Sequence, residues 1–243
     1  MALLAIVLAA GKSTRIASVA AGRPKPLLEI CGEAVLLRNL RWLAESGIEQ
    51  VWINLHYRAE AIRECVGDGK RVGLQVRYSY EPEILGTAGG VRQIASGWND
   101  TFLVVYGDSL VRTDLSAMQR AHRPGVSPIT IGIFDRSRHP NTAIAGGTVN
   151  LGPDNRVTAF TEGGNAGLSP LVNAGIYLLE PPILSKVPAG EFYDFGRQLF
   201  PELLAAGVQI HAQLIDGYCL GIDTPQAYRR TLELIDEGMV ELK

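Results

Sequence analysis

Leu4-Ala5-Ile6-Val7-Leu8-Ala9-Ala10-Gly11-Lys12-Ser13-Thr14-Arg15, followed nine residues later by Pro24-Lys25-Pro26-Leu27, is the stretch on which the reading of this chain turns. Its apolar part shows no polar alternation, which suits a strand buried on both faces of a parallel sheet. Gly11 ends the run. Small residues there let the backbone approach an anion, and free N–H groups of the turn can hold its oxygens. Arg15 offers a planar fork for two oxygens, and Lys12 supplies a point charge. The prolines on either side of Lys25 stiffen the backbone and hold its ammonium in place. Two better-known phosphate motifs fail here. A Walker loop needs glycine five positions before Gly11, where Ile6 stands, and Ser13 occupies the second glycine position of the dinucleotide fingerprint. A solvated loop with ordinary basic residues is the other reading of each piece taken alone.

Outward from this stretch, apolar residues recur at helical spacing over 34–46 (Leu36, Leu37, Leu40, Leu43, Ala44) and stop at Gly47, a natural C-cap. Strands are predicted at 3–9, 50–55, 74–78 and 102–106, and further helices at 58–66 and 88–95. This alternation with short connections implies an α/β fold, a parallel sheet covered by helices. Ligands on such sheets collect at the carboxyl ends of the strands, where Gly11 and Asp108 both fall. The second half is more mixed. Strands are predicted at 129–134, 147–151, 157–161, 174–179 and 209–214, with a helix at 195–206. Gly152-Pro153-Asp154-Asn155 marks a turn between two of the strands. A closing helix is predicted at 226–237, with Asp223 or Thr224 as cap and Pro225 in its first turn. No repeat, low-complexity tract or long linker interrupts the chain, so a single domain over residues 1–243 is expected.

Composition narrows the class. The 243 residues are 47% hydrophobic and 20% charged, enough for a sizeable core. A net charge of −2 gives no electrostatic reason to expect nucleic acid or an anionic membrane as partner. Cys31, Cys65 and Cys219 are odd in number and lack metal-ligand spacing, and buried free thiols in a reducing cytoplasm are expected. The apolar start has no basic residue before it and is too short to span a bilayer, so a cytoplasmic protein is expected. Leu232, Leu234, Met239 and Val240 near the C-terminus offer an apolar surface for a homodimer.

The opening stretch resembles the signature of the sugar nucleotidyltransferases (the nucleoside-diphosphate-sugar pyrophosphorylases), L-A-x-G-x-x-T-R followed by P-K-P-L. Matches continue over nearly the whole chain. Glu81-Pro82-Glu83-Ile84-Leu85-Gly86-Thr87-Ala88-Gly89-Gly90 resembles the family's base-recognition segment, and Tyr106-Gly107-Asp108 its metal-binding G-D. Phe160-Thr161-Glu162 and Val172-Asn173-Ala174-Gly175-Ile176-Tyr177 resemble its sugar-binding segments. Phe195-Gly196, Phe200-Pro201 and Asp223-Thr224-Pro225 are similar to the short members without a C-terminal repeat domain. Arg15-Ile16-Ala17-Ser18-Val19 is most similar to the guanylyltransferases of heptose 1-phosphate and mannose 1-phosphate.

The resemblance implies a Rossmann-like three-layer sandwich with a mostly parallel, mixed central sheet. Its nucleotide-binding half would span about 1–110 and its sugar-binding half about 111–243. The implied substrates are a nucleoside triphosphate, GTP first, and a sugar 1-phosphate, with Mg²⁺ as cofactor. The implied reaction is attack of the sugar phosphate on the α-phosphorus, with pyrophosphate leaving. The implied catalytic cations are Arg15 and Lys25. Lys12 would join Arg15 at the β- and γ-phosphates, and Lys25 would serve the α-phosphate and the incoming sugar phosphate. Leu8, Ala9, Ala10, Gly11, Lys12, Ser13, Thr14, Glu81, Gly86 and Thr87 are the implied nucleotide contacts, with Gly89 beside Gly86. Gly146, Glu162 and Asn173 are the implied sugar contacts, and Asp108 and Asp223 the implied metal ligands.

Two positions depart from the family pattern. Where many members carry Asp-Ile-Gly-Thr-Pro, this chain has Gly221-Ile222-Asp223-Thr224-Pro225, so the second ligand aspartate aligns with Gly221. Asp223 either reaches the metal from two residues further on, keeping the same face of an extended segment, or caps the last helix. Gly163 stands where many members have a lysine for the sugar phosphate, which leaves Arg138 or His139 as substitutes. Transfer of CMP to a phosphorylated alcohol such as phosphocholine, and a non-catalytic nucleotide-sugar sensor, are the alternatives.

Overall fold

The apolar run that opens the chain is the central strand β1 (Leu4–Leu8), and its side chains alternate between two cores, as a strand buried on both faces requires. The structure is a computed structural model and describes residues 3–138, 146–163 and 169–242. A short helix, α1 (Ala17–Ala20), follows, and then β2 (Glu29–Ile30) pairs with β3 (Glu33–Ala34). Next come α2 (Val35–Glu45), β4 (Gln50–Leu55), α3 (Ala59–Val66), β5 (Gln75–Tyr80), α4 (Gly86–Ala95) and β6 (Phe102–Tyr106). The chain continues through β7 (Ser109–Arg112), α5 (Leu115–Ala121), β8 (Ile129–Asp135), β9 (Thr148–Leu151), β10 (Val157–Thr161) and β11 (Leu171–Leu179). A π-helical turn, Phe195–Leu199, leads into α6 (Phe200–Ala205), then β12 (Ile210–Leu214), β13 (Tyr218–Gly221) and α7 (Pro225–Asp236).

Nine strands form one sheet. Its path runs β10-β9-β11-β6-β1-β4-β5, and β8 joins β11 to β12. β1 pairs in parallel with β4 and β6, β4 with β5, and β8 with β12. β11 is antiparallel to β6, β8 and β9, and β10 is antiparallel to β9, so β10 and β11 run against the other seven. The sheet is therefore mixed and mostly parallel. Leu36, Leu40 and Leu43 of α2 and Ile62 of α3 pack on one face with Val7 and Ile53. Ala88, Val91 and Ile94 of α4 and Leu203 of α6 pack on the other with Ile6, Phe102 and Tyr177. Helices thus cover both faces, in three layers.

Three readings of the sequence change. The helix predicted over 195–206 begins as the wider π-turn before it tightens into α6. Cys219 is buried, but Cys65 is only partly so and Cys31 is exposed; all three are free. Leu234 and Val240, placed above on a dimer face, are buried in a third core with Ile16, Ile30, Val35 and Ile222. Apolar residues at the edge of a domain are drawn into its own core where one is within reach, and Met239 alone of the four stays largely exposed. Among the described residues no helix is long and apolar enough to cross a membrane.

Candidate active site

The turn after β1 is set by local conformation. Ser13 adopts a left-handed φ of 56°, and Thr14–Ile16 closes one 3₁₀ turn whose Ile16 is buried in the third core. The backbone N–H of Lys25 donates to Ser13 Oγ at 2.6 Å, so the loop and the Pro24-Lys25-Pro26 stretch are tied together. Lys25 is 7% exposed, and its ammonium donates to Asp108 Oδ2 at 2.6 Å and to Asp223 Oδ1. Burial by itself would lower the lysine pKa. The two carboxylates more than reverse that and raise it above its ordinary value, so the group stays a cation. Arg15 is exposed, with its Nη2 3.7 Å from Asp223 Oδ1.

The ladder between β7 and β13 brings the two aspartates together. Its register pairs Ser109 with Gly221, so the residues just before Ser109 lie opposite those just after Gly221. Asp108 precedes the first partner and Asp223 follows the second, and both reach the same ammonium. The cap of α7 is Thr224, whose Oγ1 accepts from Ala227 N at 3.1 Å, which leaves the Asp223 carboxylate to Lys25. Among the described residues no group of three or more His, Cys, Asp or Glu side chains is arranged around a metal position. Two hard carboxylates fit Mg²⁺, which completes its shell with phosphate oxygens and water.

Two cavities meet at this knot. The smaller, about 210 Å³, is lined by Leu8, Ala9, Gly11, Ser13, Thr14, Arg15, Lys25, Pro26 and Asp108. The larger, about 420 Å³, shares Gly11, Arg15 and Asp108 with it and adds Thr87, Tyr106, Gly146, Glu162, Asn173, Asp194, Gly196, Arg197 and Asp223. Burial raises the Glu162 pKa above the ordinary glutamate value, with the Arg197 charge working against the shift. A Cβ on Gly196 would lie 2.4 Å from Glu162 Oε2, so the carboxylate in this position packs directly against the glycine. The Asn173 amide is pinned at both ends: Oδ1 accepts from Gly175 N at 3.0 Å, and Nδ2 donates to the Tyr177 hydroxyl at 2.7 Å. It sits at a register shift in the β11–β8 ladder, an irregularity of the kind that re-aims a side chain.

Some predicted site residues lie elsewhere. Lys12 is exposed, and it and Ala10 line neither cavity. Glu81 is fully buried beneath the site: Oε1 accepts from Asn54 Nδ2 at 2.7 Å and Oε2 from Leu85 N at 2.9 Å. Asn54 Oδ1 in turn accepts from Ala9 N at 2.7 Å, so Asn54 and Glu81 brace the ends of β1, β4 and β5 against the start of α4. Burial pushes the Glu81 pKa up, while the bonds from Leu85 and Asn54 pull it down. Gly86, at φ +71°, and Gly89 are needed for packing. A Cβ on either would fall 2.7–2.8 Å from the carbonyl oxygens of Tyr193 or Glu191.

Sequence reasoning missed Asn54, Asp194 and Arg197. Asn54 carried a signal, since it is a polar residue near the end of an apolar strand. Arg197 carried none, because residues 195–206 read as an ordinary helix. Arg138 pairs with Asp135 at 3.4 Å and is exposed, and it lines neither cavity; His139 lies outside the described residues. Arg197 lines the larger cavity together with Arg15, and the charges of both act on Glu162.

Comparison with known proteins agrees with this architecture. A family model described as nucleotidyl transferase matches residues 4–235. The UTP–glucose-1-phosphate uridylyltransferase of Synechocystis sp. is 32% identical over 87% of this chain and 58% of its own length. The mannose-1-phosphate guanylyltransferase of Mycobacterium tuberculosis is 33% identical over 93% of this chain and 62% of its own. The chain therefore spans less than two thirds of either relative. Among solved structures, HddC from Yersinia pseudotuberculosis superimposes with a TM-score of 0.79 at 24% identity, covering 96% of this chain and 99% of that one, which is a likeness of fold.

Proposed function

The chain belongs to the nucleotidyl transferase family, and from that premise we propose that it transfers a nucleoside monophosphate from a nucleoside triphosphate to a sugar 1-phosphate. An acceptor phosphate oxygen forms the new bond to the α-phosphorus as the bond to the β-phosphate oxygen breaks, and pyrophosphate leaves. The nucleophile is already an anion at neutral pH, so no general base is needed. The difficulty is to bring two polyanions together and to stabilise the charge that moves onto the leaving group.

The observation that carries this reading is the buried Lys25 ammonium at the meeting of two cavities, next to two carboxylates and Arg15. The smaller cavity, with its close-packed backbone and two cations, suits a triphosphate. The larger suits the sugar phosphate, with Arg197 for the phosphate and Glu162, Asn173 and Gly146 around the hydroxyls. Lys25 then lies where the α-phosphate and the acceptor phosphate would meet. Asp108 and Asp223 would hold Mg²⁺, which supplies positive charge to the phosphate oxygens.

GTP is the nucleotide of first choice, with mannose or heptose 1-phosphate as acceptor. The relative from M. tuberculosis is by name a guanylyltransferase, and the similarly distant one from Synechocystis, a uridylyltransferase, makes UTP the main comparator. The test is pyrophosphate release by the purified protein with each nucleoside triphosphate crossed against a panel of sugar 1-phosphates. Turnover of GTP with one of the two named acceptors supports the proposal. No turnover with any pair, or calorimetric binding of a nucleotide-sugar by a protein that never turns over, overturns it.

A further inference from the structure

Thr87 belongs to the segment whose sequence resembles a base-recognition element, yet its polar atoms are engaged mainly with the second half of the chain, with the Tyr106 hydroxyl as a further side-chain partner. Thr87 N and Thr87 Oγ1 both donate to Asp194 Oδ1, each at 3.0 Å, and Phe195 N donates back to Thr87 Oγ1 at 2.9 Å. The neighbouring backbone closes the same joint. Ala88 N and Gly89 N reach Tyr193 O at 2.9 and 3.0 Å, and Tyr193 N reaches Leu85 O at 2.8 Å. On its other side Asp194 starts the π-turn: Asp194 O accepts from Gln198 N and Leu199 N, and Asp194 N donates to Gln198 Oε1 at 2.9 Å. The first turn of α4 and the π-turn are thus one hydrogen-bonded unit. The π-turn carries Gly196 and Arg197 into the wall of the larger cavity, where Glu162 fits against Gly196.

We infer that Thr87 and Asp194 form a positioning pair that sets Arg197 and Gly196 for the acceptor substrate. A residue on the nucleotide half then governs binding of the sugar phosphate. This rests on the reading above that the larger cavity takes the sugar 1-phosphate. The physical basis is that the Thr87 hydroxyl is both donor and acceptor at the joint. Without it, the Phe195 N–H loses its acceptor and the Asp194 carboxylate loses one of its two donors from Thr87. The π-turn has no other side-chain bond to α4 among those described. A direct role in holding the nucleotide would require the Thr87 amide and hydroxyl to leave Asp194.

The experiment compares Thr87→Val, which keeps the shape and removes the hydroxyl, with Thr87→Ser, which restores it. Hydrogen exchange of residues 193–199, nucleotide affinity by calorimetry, and the KM for sugar 1-phosphate are read for each. In Thr87→Val, exchange of the Phe195, Gln198 and Leu199 amides speeds up and the acceptor KM rises about tenfold, the scale of a lost hydrogen bond to a charged group. Nucleotide affinity stays at the wild-type value, and Thr87→Ser restores both exchange and KM. If Thr87→Val weakens the nucleotide as much as the acceptor, or leaves exchange and KM unchanged, the pair has no such role. Should Thr87→Val fail to fold, Asp194→Ala, which removes the oxygen that accepts both Thr87 donors, must shift the same amides and the same KM. A wild-type protein without turnover on any acceptor would sink the functional reading alone, because the exchange data still decide whether the pin exists.

Discussion

The two cavities that meet at Gly11, Arg15 and Asp108, beside Lys25, are built in opposite ways. The smaller draws nearly all its lining from two nearby stretches, residues 8–15 and 25–26, with Asp108 as the outside contribution. The larger gathers side chains from residues 11 to 223, including α4, β11, the π-turn and the segment after β13. A phosphate is a compact, symmetric anion, so a turn of close-packed backbone with fixed cations recognises it. A sugar presents hydroxyls in several directions, and its partners must converge from several elements. If this contrast is right, substitutions at the knot reduce the rate, and substitutions of the larger cavity's other residues act on the acceptor alone.

The largest effect is expected from Lys25→Ala. It removes the buried cation at the junction, and kcat in the pyrophosphate-release assay should fall about 10²–10³-fold, the scale of losing one donor aimed at developing charge. A loss smaller than that of any larger-cavity variant would break the contrast. Arg197→Ala comes next. It should raise the acceptor KM about tenfold or more, with kcat and nucleotide affinity little changed, as for one charge-assisted bond. Arg138→Ala should leave both constants unchanged, since Arg138 is exposed and paired with Asp135. An effect of Arg138→Ala equal to that of Arg197→Ala would reassign the role of the lysine absent at Gly163.

A pH titration sharpens the contrast further. Burial raises the Glu162 pKa, so this carboxylate takes up its proton at a higher pH than an ordinary glutamate. As pH falls toward the ordinary glutamate range, the acceptor KM should rise several-fold more in the wild type than in Glu162→Gln, the comparison cancelling the protonation of the substrates' own phosphates, whose second pKa is about 6. Equal acid limbs in the two proteins would sink the assignment. Glu81→Gln is expected to act on stability and hardly on turnover. Both Glu81 oxygens accept from N–H donors, so either orientation of an amide sets an NH₂ against a donor. The unfolding free energy should drop by about 1–3 kcal/mol in chemical denaturation, the cost of one unsatisfied buried group. Activity of the folded fraction should remain near the wild-type level.

Legibility followed the same division. The strands at residues 50–55 and 102–106 fall where the apolar runs put them, because a strand buried in a sheet needs largely apolar sequence. β7 and β13 escaped notice, since four-residue strands such as Ser109–Arg112 and Tyr218–Gly221 are specified by each other more than by their own pattern. That ladder is the element that brings Asp223 beside Asp108 on Lys25. The Leu234 and Val240 pair shows the limit from the other side. Apolar spacing announces a buried face, but it does not say whether the chain's own core or a partner covers it.

By itself the sequence determined the α/β class, the strand-turn start with its basic residues, and the candidacy of Lys25 and Asp108, because each depends on local pattern and fixed spacing. The tertiary structure decided that Asp223 joins Asp108 on Lys25 although Gly221 stands at the aligned position. It also decided that Glu81 is a buried brace, that Arg197 enters the larger cavity, and that Thr87 is bonded to Asp194. Each of these depends on which distant segment lies within about 3 Å, the reach of a hydrogen bond. Strand pairing and core packing set that distance, and no stretch of sequence carries it alone.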